Sequence, residues 1–141
     1  MPHIELSLSA ADADSAQQTC QGWAAPVRGS ADACLLLDAR GVIFATSPSC
    51  RALLGFSDGV DTHRRMLLDS VELVNFAASG GALPQWELQR IPPIQALNTG
   101  ALSRGLLRVS AGGISRTLDA VATPLHGGTE VAGSLTFFRR C

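Results

Sequence analysis

The sequence predicts an α+β domain in which short helices cover one face of a single antiparallel sheet. Two short apolar runs come first, several segments with helical spacing follow, and strand-like runs joined by glycine pairs end the chain. Two strands and a later group of three, separated by helices, combine most simply into one five-stranded sheet. The space between that sheet and its helices is the natural place for a small cavity.

Length and composition favour one globular domain. The chain has 141 residues, of which 46% are hydrophobic and 16% charged, enough to bury a core. Its net charge of -1 and its scattered arginines give no electrostatic footprint for nucleic acid. The N-terminus has no basic segment followed by an apolar one, and no apolar run is long enough to cross a bilayer. We therefore expect a cytoplasmic protein without direct membrane or nucleic-acid contacts.

Residues 1–30 differ in composition from the rest, being rich in Ala, Ser, Asp and Gln. We expect them to form a leader, with the core domain spanning residues 31–141. Within the leader, residues 12–25 predict a helix with Ala16, Cys20 and Trp23 on one face, up to a break at Pro26. This face needs cover, which favours a homodimer in which the helix packs across the sheets.

The next elements have clear boundaries. The runs "ACLLLD" and "VIFAT" predict a hairpin whose turn lies between Asp38 and Gly41. A helix of about two turns follows, because Ser47 can cap it, Pro48 suits its first position and Gly55 suits the position after its end.

The middle of the chain predicts more helix. Leu67, Val71 and Val74 recur at helical spacing, and Gly80 with Gly81 ends that segment. Another helical segment covers residues 83–100, with an interruption at Pro92 and Pro93. The runs 103–111, 114–125 and 130–140 then predict three antiparallel strands joined by tight glycine turns.

From about Ala31 to Arg139 the chain resembles a PAS domain. The resemblance rests on "LLLDARGVIFATSPSCRALLGFS", "ALNTG", "DAVATPLHG" and "VAGSLTFFRR", in the family's order and spacing. It implies a sensory and protein-association module, mostly cytoplasmic, usually dimeric and usually part of a larger signalling protein. The output domain of such a protein is expected beyond Cys141.

The resemblance disfavours the family's known cofactors. Light-sensing LOV members carry a reactive cysteine in a region that corresponds to residues 61–76, where this chain has none, and Cys50 comes one helix too early. Flavin-binding members place a glutamine where this chain has Leu135. The chain has no tyrosine for a photoactive-yellow-protein chromophore. His63 is the one candidate for haem, and His126 is expected in a solvated turn.

We therefore expect an interior without a cofactor, suited to a small apolar ligand. Strand alternation, helical spacing and the family's inward face together select the lining side chains. They are Leu35, Leu37, Cys50, Leu53, Leu54, Val71, Leu97, Leu118, Ala120, Ala122, Gly133 and Leu135, with Val131 and Phe137 on the same face of the last strand. The outer face would carry Val121, Thr123, Leu125, Ser134, Thr136 and Phe138.

Few groups suggest other chemistry. Arg108 or Arg116 could anchor a carboxylate at the cavity mouth, and Arg104 and Asp119 are nearby polar residues. The four cysteines are too widely spaced for a metal site, and no nucleophile with its base, paired carboxylates or phosphate loop is found.

The sequence thus predicts a non-catalytic PAS sensor and dimerisation module of a bacterial regulator that binds a small apolar ligand. The alternatives are a ligand-free protein-interaction module, a thiol redox sensor through Cys34 or Cys50, and a haem sensor through His63.

Overall fold

The computed structural model describes residues 2–56, 64–77 and 80–141, and for residues 2–14 it describes the backbone alone. Five helices and six strands follow one another in these segments. They are α1 (Pro2–Arg28), β1 (Ala33–Asp38), β2 (Ile43–Thr46), α2 (Pro48–Leu54), α3 (Leu67–Ser70), β3 (Glu72–Val74), α4 (Gln85–Leu88), α5 (Pro92–Thr99), β4 (Ser103–Ala111), β5 (Ile114–Gly127) and β6 (Glu130–Arg140).

The strands form one antiparallel sheet in the order β2-β1-β6-β5-β4-β3. The α+β layout is confirmed, but the sheet has six strands where five were expected. The additional strand is β3, which lies in the segment predicted as helix around Val71 and Val74. The helix ends at Ser70 because the next residues are partly β-branched and pair with β4 at Arg108–Ser110.

The first hairpin and the helix after it are confirmed. The Asp38 carboxylate accepts hydrogen bonds from the main-chain amides of Arg40 and Val42, which fixes the turn between β1 and β2. The Ser47 hydroxyl accepts from the Cys50 amide and so caps α2. At the other end, Gly55 has a φ of 80°, the left-handed conformation that ends helices.

Helix α1 is longer than predicted and continues through Pro26 to Arg28. Its packed face is formed by Cys20, Ala24 and Val27, which are buried. Trp23 was expected on this face, but 42% of its surface is exposed, so that assignment is wrong. The buried residues recur at i, i+4 and i+7, one position away from Trp23 on the helical wheel.

The sheet is covered on both faces, which creates two apolar cores. The outer core lies between α1 and the sheet and contains Ala24, Val27, Cys34, Leu36, Ala45, Leu125 and Leu135. The inner core lies between the sheet and the helices α2 to α5. Since β1 contributes to both, five consecutive residues from Ala33 to Leu37 are buried.

The orientation of β6 is opposite to the one predicted. Leu135 belongs to the outer core and Phe138 to the inner core. The side chains of Ser134, Thr136 and Phe138 therefore point into the interior, although the sequence had assigned them to the outer face. A one-residue shift of this kind exchanges the two faces of a strand, and the sequence could not exclude it because both faces of β6 are buried.

Candidate functional site

The candidate site is the inner core, where most of the predicted lining residues meet. Leu35, Leu37, Cys50, Leu54, Leu118 and Ala120 all belong to this cluster and are at most 4% exposed. Leu53, Val71 and Leu97 are partly buried against it. Ala122 is fully buried and, two residues after Ala120 on β5, has the same orientation. These residues therefore lie together in the buried core, and their role as ligand contacts stays a prediction.

Two predicted lining residues lie on the other side of the sheet. Leu135 packs in the outer core. A side chain at Gly133 would overlap the Leu37 carbonyl oxygen and would approach the Cys20 sulfur to 3.2 Å, so this residue faces α1. The inward assignment of both is wrong, and so is that of Phe137, which lies across from Val121 and Cys34 and is 42% exposed.

The interior contains two hydroxyl groups that sequence reasoning had placed outside. The Ser134 hydroxyl is buried and donates to the Pro93 carbonyl of α5 at 3.0 Å. The Thr136 hydroxyl is also buried, yet no described residue is its hydrogen-bond partner. Buried polar groups are almost always paired, so this hydroxyl is an exception within the apolar core. The alternation of Ser134, Thr136 and Phe138 was the signal that could have identified them.

Thr136 has small neighbours at its site. It lies directly across the sheet from Ala122 on β5 and from Leu35 on β1. Ala120 and Cys50 belong to the same core, and Ala96 on α5 is also fully buried.

The Cys50 thiol is unsuited to redox chemistry. It is fully buried, and burial raises its pKa well above the ordinary value of 9.0, with the nearby Cys34 acting in the same direction. A thiol reacts as the thiolate, which is scarce here at neutral pH. Cys34 and Cys20 are buried as well, and Cys141 is the exposed cysteine. The geometry therefore disfavours Cys50 as a redox sensor.

The two arginines considered as anchors point away from the inner core or bond elsewhere. Arg108 alternates with the buried Leu107 and Val109 and thus lies on the outer face. Arg116 shares the face of Leu118, but its guanidinium donates to the Ala52 carbonyl of α2 at 3.1 Å. On the outer face, Arg104 and Asp119 form an ion pair with a shortest distance of 2.7 Å.

Comparisons with solved structures identify this arrangement. The PAS domain of a Colwellia psychrerythraea protein superposes with a TM-score of 0.58 at 17% identity, over 83% of this chain and 92% of that one. The Rhodobacter sphaeroides LOV protein gives a TM-score of 0.63 at 14% identity, over 88% and 67% of the two chains. This chain has the PAS fold. A scan against protein-family models and a search of curated proteins return no match.

A third PAS-fold neighbour is VqmA. The Vibrio cholerae VqmA dimer, described as a LuxR-type receptor, superposes with a TM-score of 0.59 at 15% identity. The alignment covers 81% of this chain and 48% of VqmA, so this chain spans about half of that protein. A structure of VqmA bound to DPO gives the same TM-score.

The positions of individual residues also bear on the cofactor predictions. Leu135 was used as an argument against flavin, but it faces α1 and therefore does not bear on the interior. His63, the haem candidate, lies outside the described residues. His126 is exposed near the end of β5. Within the described residues no three His, Cys, Asp or Glu side chains are grouped as metal ligands, and no helix has the length and hydropathy to cross a membrane.

Proposed function

We propose that this chain is the sensory PAS module of a cytoplasmic bacterial signalling protein or transcription regulator. Its signal is a small, mostly apolar molecule with one hydrogen-bonding group, held between the sheet and helices α2 and α5. The module has no catalytic role and passes the occupancy of its interior to an output domain. A structure of VqmA, a neighbour of the same fold, is described as bound to DPO, which supports this proposal.

The unpartnered hydroxyl of Thr136 carries the proposal. Leaving a buried hydroxyl without a partner costs on the order of 1–3 kcal/mol, and a ligand group at this position would remove that cost. The alanines on β5 next to it give up side-chain volume that a ligand can take. Binding would thus be coupled to stability through one identified atom, Thr136 Oγ1.

The test combines native mass spectrometry with the substitution Thr136→Val. We expect the wild-type protein to co-purify with a small molecule that denaturation releases. Thr136→Val should lose this molecule and yet be more stable than ligand-free wild type, because valine removes the unpaired hydroxyl at equal size. Thr123→Val on the exposed outer position of β5 is the matched control and should retain the ligand. Equal ligand retention by both variants, or ligand-free wild-type protein, would contradict the proposal.

A second candidate function is dimerisation, favoured by the part of the outer face that α1 leaves open. Phe137 is 42% exposed and Leu106 is 56% exposed, with Val121 half-buried between their strands. Burying such a patch against a second copy gives a symmetric interface. The PAS-fold VqmA is itself described as a dimer, which supports the same proposal.

Sedimentation of wild type and Phe137→Ser tests the dimer. We expect wild type to sediment as a dimer at micromolar concentration and Phe137→Ser to shift toward monomer. Phe76→Ser is the control, because Phe76 is also exposed but follows the edge strand β3, three strands away from β6. A monomeric wild type, or equal dissociation of both variants, would exclude an interface at Phe137.

A further inference from the structure

The edge of β4 is only partly covered. Strand β3 pairs with β4 at Arg108–Ser110 and ends at Val74. Among the described residues, positions 103–107 of β4 pair with β5 on one side and with no strand on the other. A free edge of this length has unpaired main-chain groups that can bind an added strand.

The hydrogen bonds of β3 show which main-chain groups of β4 point to the free edge. The Leu73 carbonyl accepts from the Leu83 amide at 3.3 Å, and the Asn75 amide donates to the Gly81 carbonyl at 2.8 Å. Both residues therefore bond away from β4, and Val74 bonds toward Arg108. Because main-chain groups alternate in direction along a strand, Arg104 and Leu106 direct their N–H and C=O groups to the free edge.

This edge lies in a groove with apolar walls. The groove has a volume of about 420 Å³ and is lined by the β4 edge, the end of β3 and the segment from Leu83 to Pro92. Phe76 is 56% exposed and Trp86 61% exposed on its walls. Large aromatic side chains with this exposure beside unpaired main-chain groups are typical of a protein-binding surface rather than of a solvated edge.

Arginines outnumber carboxylates around the edge. Among the described residues, the outer face of this end of the sheet carries Arg104, Arg108 and Arg139 against two carboxylates, Asp119, which Arg104 binds at 2.7 Å, and Glu72, which lies opposite Ser110. Apart from the two arginines of β4, the groove itself is lined by one residue of each sign, Glu87 and Arg90. A residue of an added strand that lies opposite Leu106 on this face would be diagonal to both Arg104 and Arg108, within reach of a long side chain. An acidic residue there would be stabilised.

We propose that this groove binds an extended segment of another protein, in which acidic and apolar residues alternate, as an additional strand next to β4. Its main chain pairs with Arg104 and Leu106. Its acidic side chains point to the outer face with the arginines, and its apolar side chains point to the groove walls. The period of two in the partner follows from the alternation of faces in a strand.

A second copy of this chain fits the edge less well. Antiparallel pairing of β4 with its own copy about Leu106 would require Arg104 to lie directly opposite Arg108 of that copy, where β3 already pairs. Like charges directly opposite each other destabilise a strand pair. The groove is therefore suited to a partner of opposite charge.

The probe is a fluorescein-labelled, capped peptide of sequence Glu-Val-Glu-Val-Glu-Val-Glu, measured by fluorescence anisotropy with the full chain. We expect saturable binding. The same peptide with lysine in place of glutamate should bind at least tenfold more weakly. Of the two peptides N-methylated at every second residue, one at the glutamates and one at the valines, the one whose methyl groups face β4 should also bind at least tenfold more weakly, and the other should bind like the parent peptide, because an added strand pairs through one edge only. Equal binding of the lysine peptide would overturn the charge argument, and equal binding of both N-methylated peptides would overturn strand addition.

The substitution Leu106→Pro tests the edge from the protein side. Proline removes the N–H that faces the groove and leaves the β4–β5 ladder intact, since proline is tolerated where the N–H is not paired. We expect it to weaken binding at least tenfold and Leu106→Ala, which keeps the N–H, less than threefold. The N-methylated peptides keep the test valid if Leu106→Pro does not fold. Absent binding of the glutamate peptide would overturn the proposal. Wild-type dimers that persist in Phe137→Ser but that Leu106→Pro abolishes would also overturn it, in favour of another copy of this chain at the edge.

Discussion

The hydroxyl of Ser47 accepts a hydrogen bond from the main-chain amide of Cys34 at 2.9 Å. In return the Ser47 amide donates to the Cys34 carbonyl at 3.0 Å, so the start of α2 is bonded to β1 through two groups of one residue. The same hydroxyl caps the helix at the Cys50 amide, 3.3 Å away. A single buried side chain thus positions the helix that covers the inner core.

Ser47→Ala should lower the free energy of unfolding by about 1–2 kcal/mol, because it removes a helix cap and leaves the Cys34 amide unpaired in the interior. Urea unfolding measures this loss. Ser49→Ala is the matched control two residues later, where the hydroxyl bonds the Ala31 carbonyl at an exposed position, and should cost less than about 0.5 kcal/mol. Equal losses would show that the position of Ser47 confers no special role.

Gly133→Ala should destabilise the protein by about 3 kcal/mol, since the new methyl group would overlap the Leu37 carbonyl of β1. Gly22→Ala should do the reverse. Gly22 lies within α1 with no atom within 4 Å of an added methyl group, so the higher helix propensity of alanine should stabilise the protein by about 0.5–1 kcal/mol. Thermal unfolding of the two variants compares the effects. A neutral Gly133→Ala would mean that β6 and β1 are further apart than described.

The buried Cys50 thiol should make the folded protein less stable at high pH. Its pKa is raised in the folded state, first by burial and then by Cys34, so the unfolded state releases the proton earlier. The stabilisation that comes from the protonated Cys50 thiol is fully present below the ordinary pKa of 9.0. It is lost as the pH rises above this value, and the free energy of unfolding then falls by up to about 1.4 kcal/mol per pH unit. Cys50→Ala should reduce this slope in urea unfolding between pH 8 and 10.5. An unchanged slope would mean that other groups, such as Cys20, cause it.

Arg104→Gln should raise the pKa of Asp119. The hydrogen bond from the Arg104 guanidinium lowers the pKa of this carboxyl below its ordinary value of 3.8. Any stability that this pair contributes is present above pH 4 and lost as the pH falls through the lowered value. NMR titration of the Asp119 carboxyl carbon measures the shift, with Arg116→Gln as the control, because Arg116 bonds Ala52 instead. A titration midpoint that is the same in wild type and Arg104→Gln would exclude the pair in solution.

The sequence predicted those elements whose boundaries have their own local chemistry. Ser47, Pro48 and Gly55 fix the ends of α2, and Gly112 with Gly113 fixes the turn between β4 and β5, where both have positive φ. Such signals act within a few residues and need no knowledge of the tertiary structure. The first hairpin, α5 and the three final strands were recognised in this way.

The rest depends on contacts between distant residues. Strand β3 has only three residues and exists because β4 pairs with it, so Val71 and Val74 could equally fit a helical pattern. The faces of β6 could not be assigned because α1 covers the outside of the sheet and removes the usual polar alternation. This affected the candidate site directly, since Leu135 was placed inside and Thr136 outside.

Helix α1 meets the sheet without intervening side chains at one point. A methyl group on Gly127, at the end of β5, would lie 2.5 Å from the main-chain nitrogen and Cα of Ala16. From there residues 2–14 continue the helix for about 20 Å. A rotation of about 10° at this contact would move the far end of the helix by roughly 3–4 Å. A small distortion of the sheet at Gly127 would therefore become a larger displacement at the N-terminal end of α1.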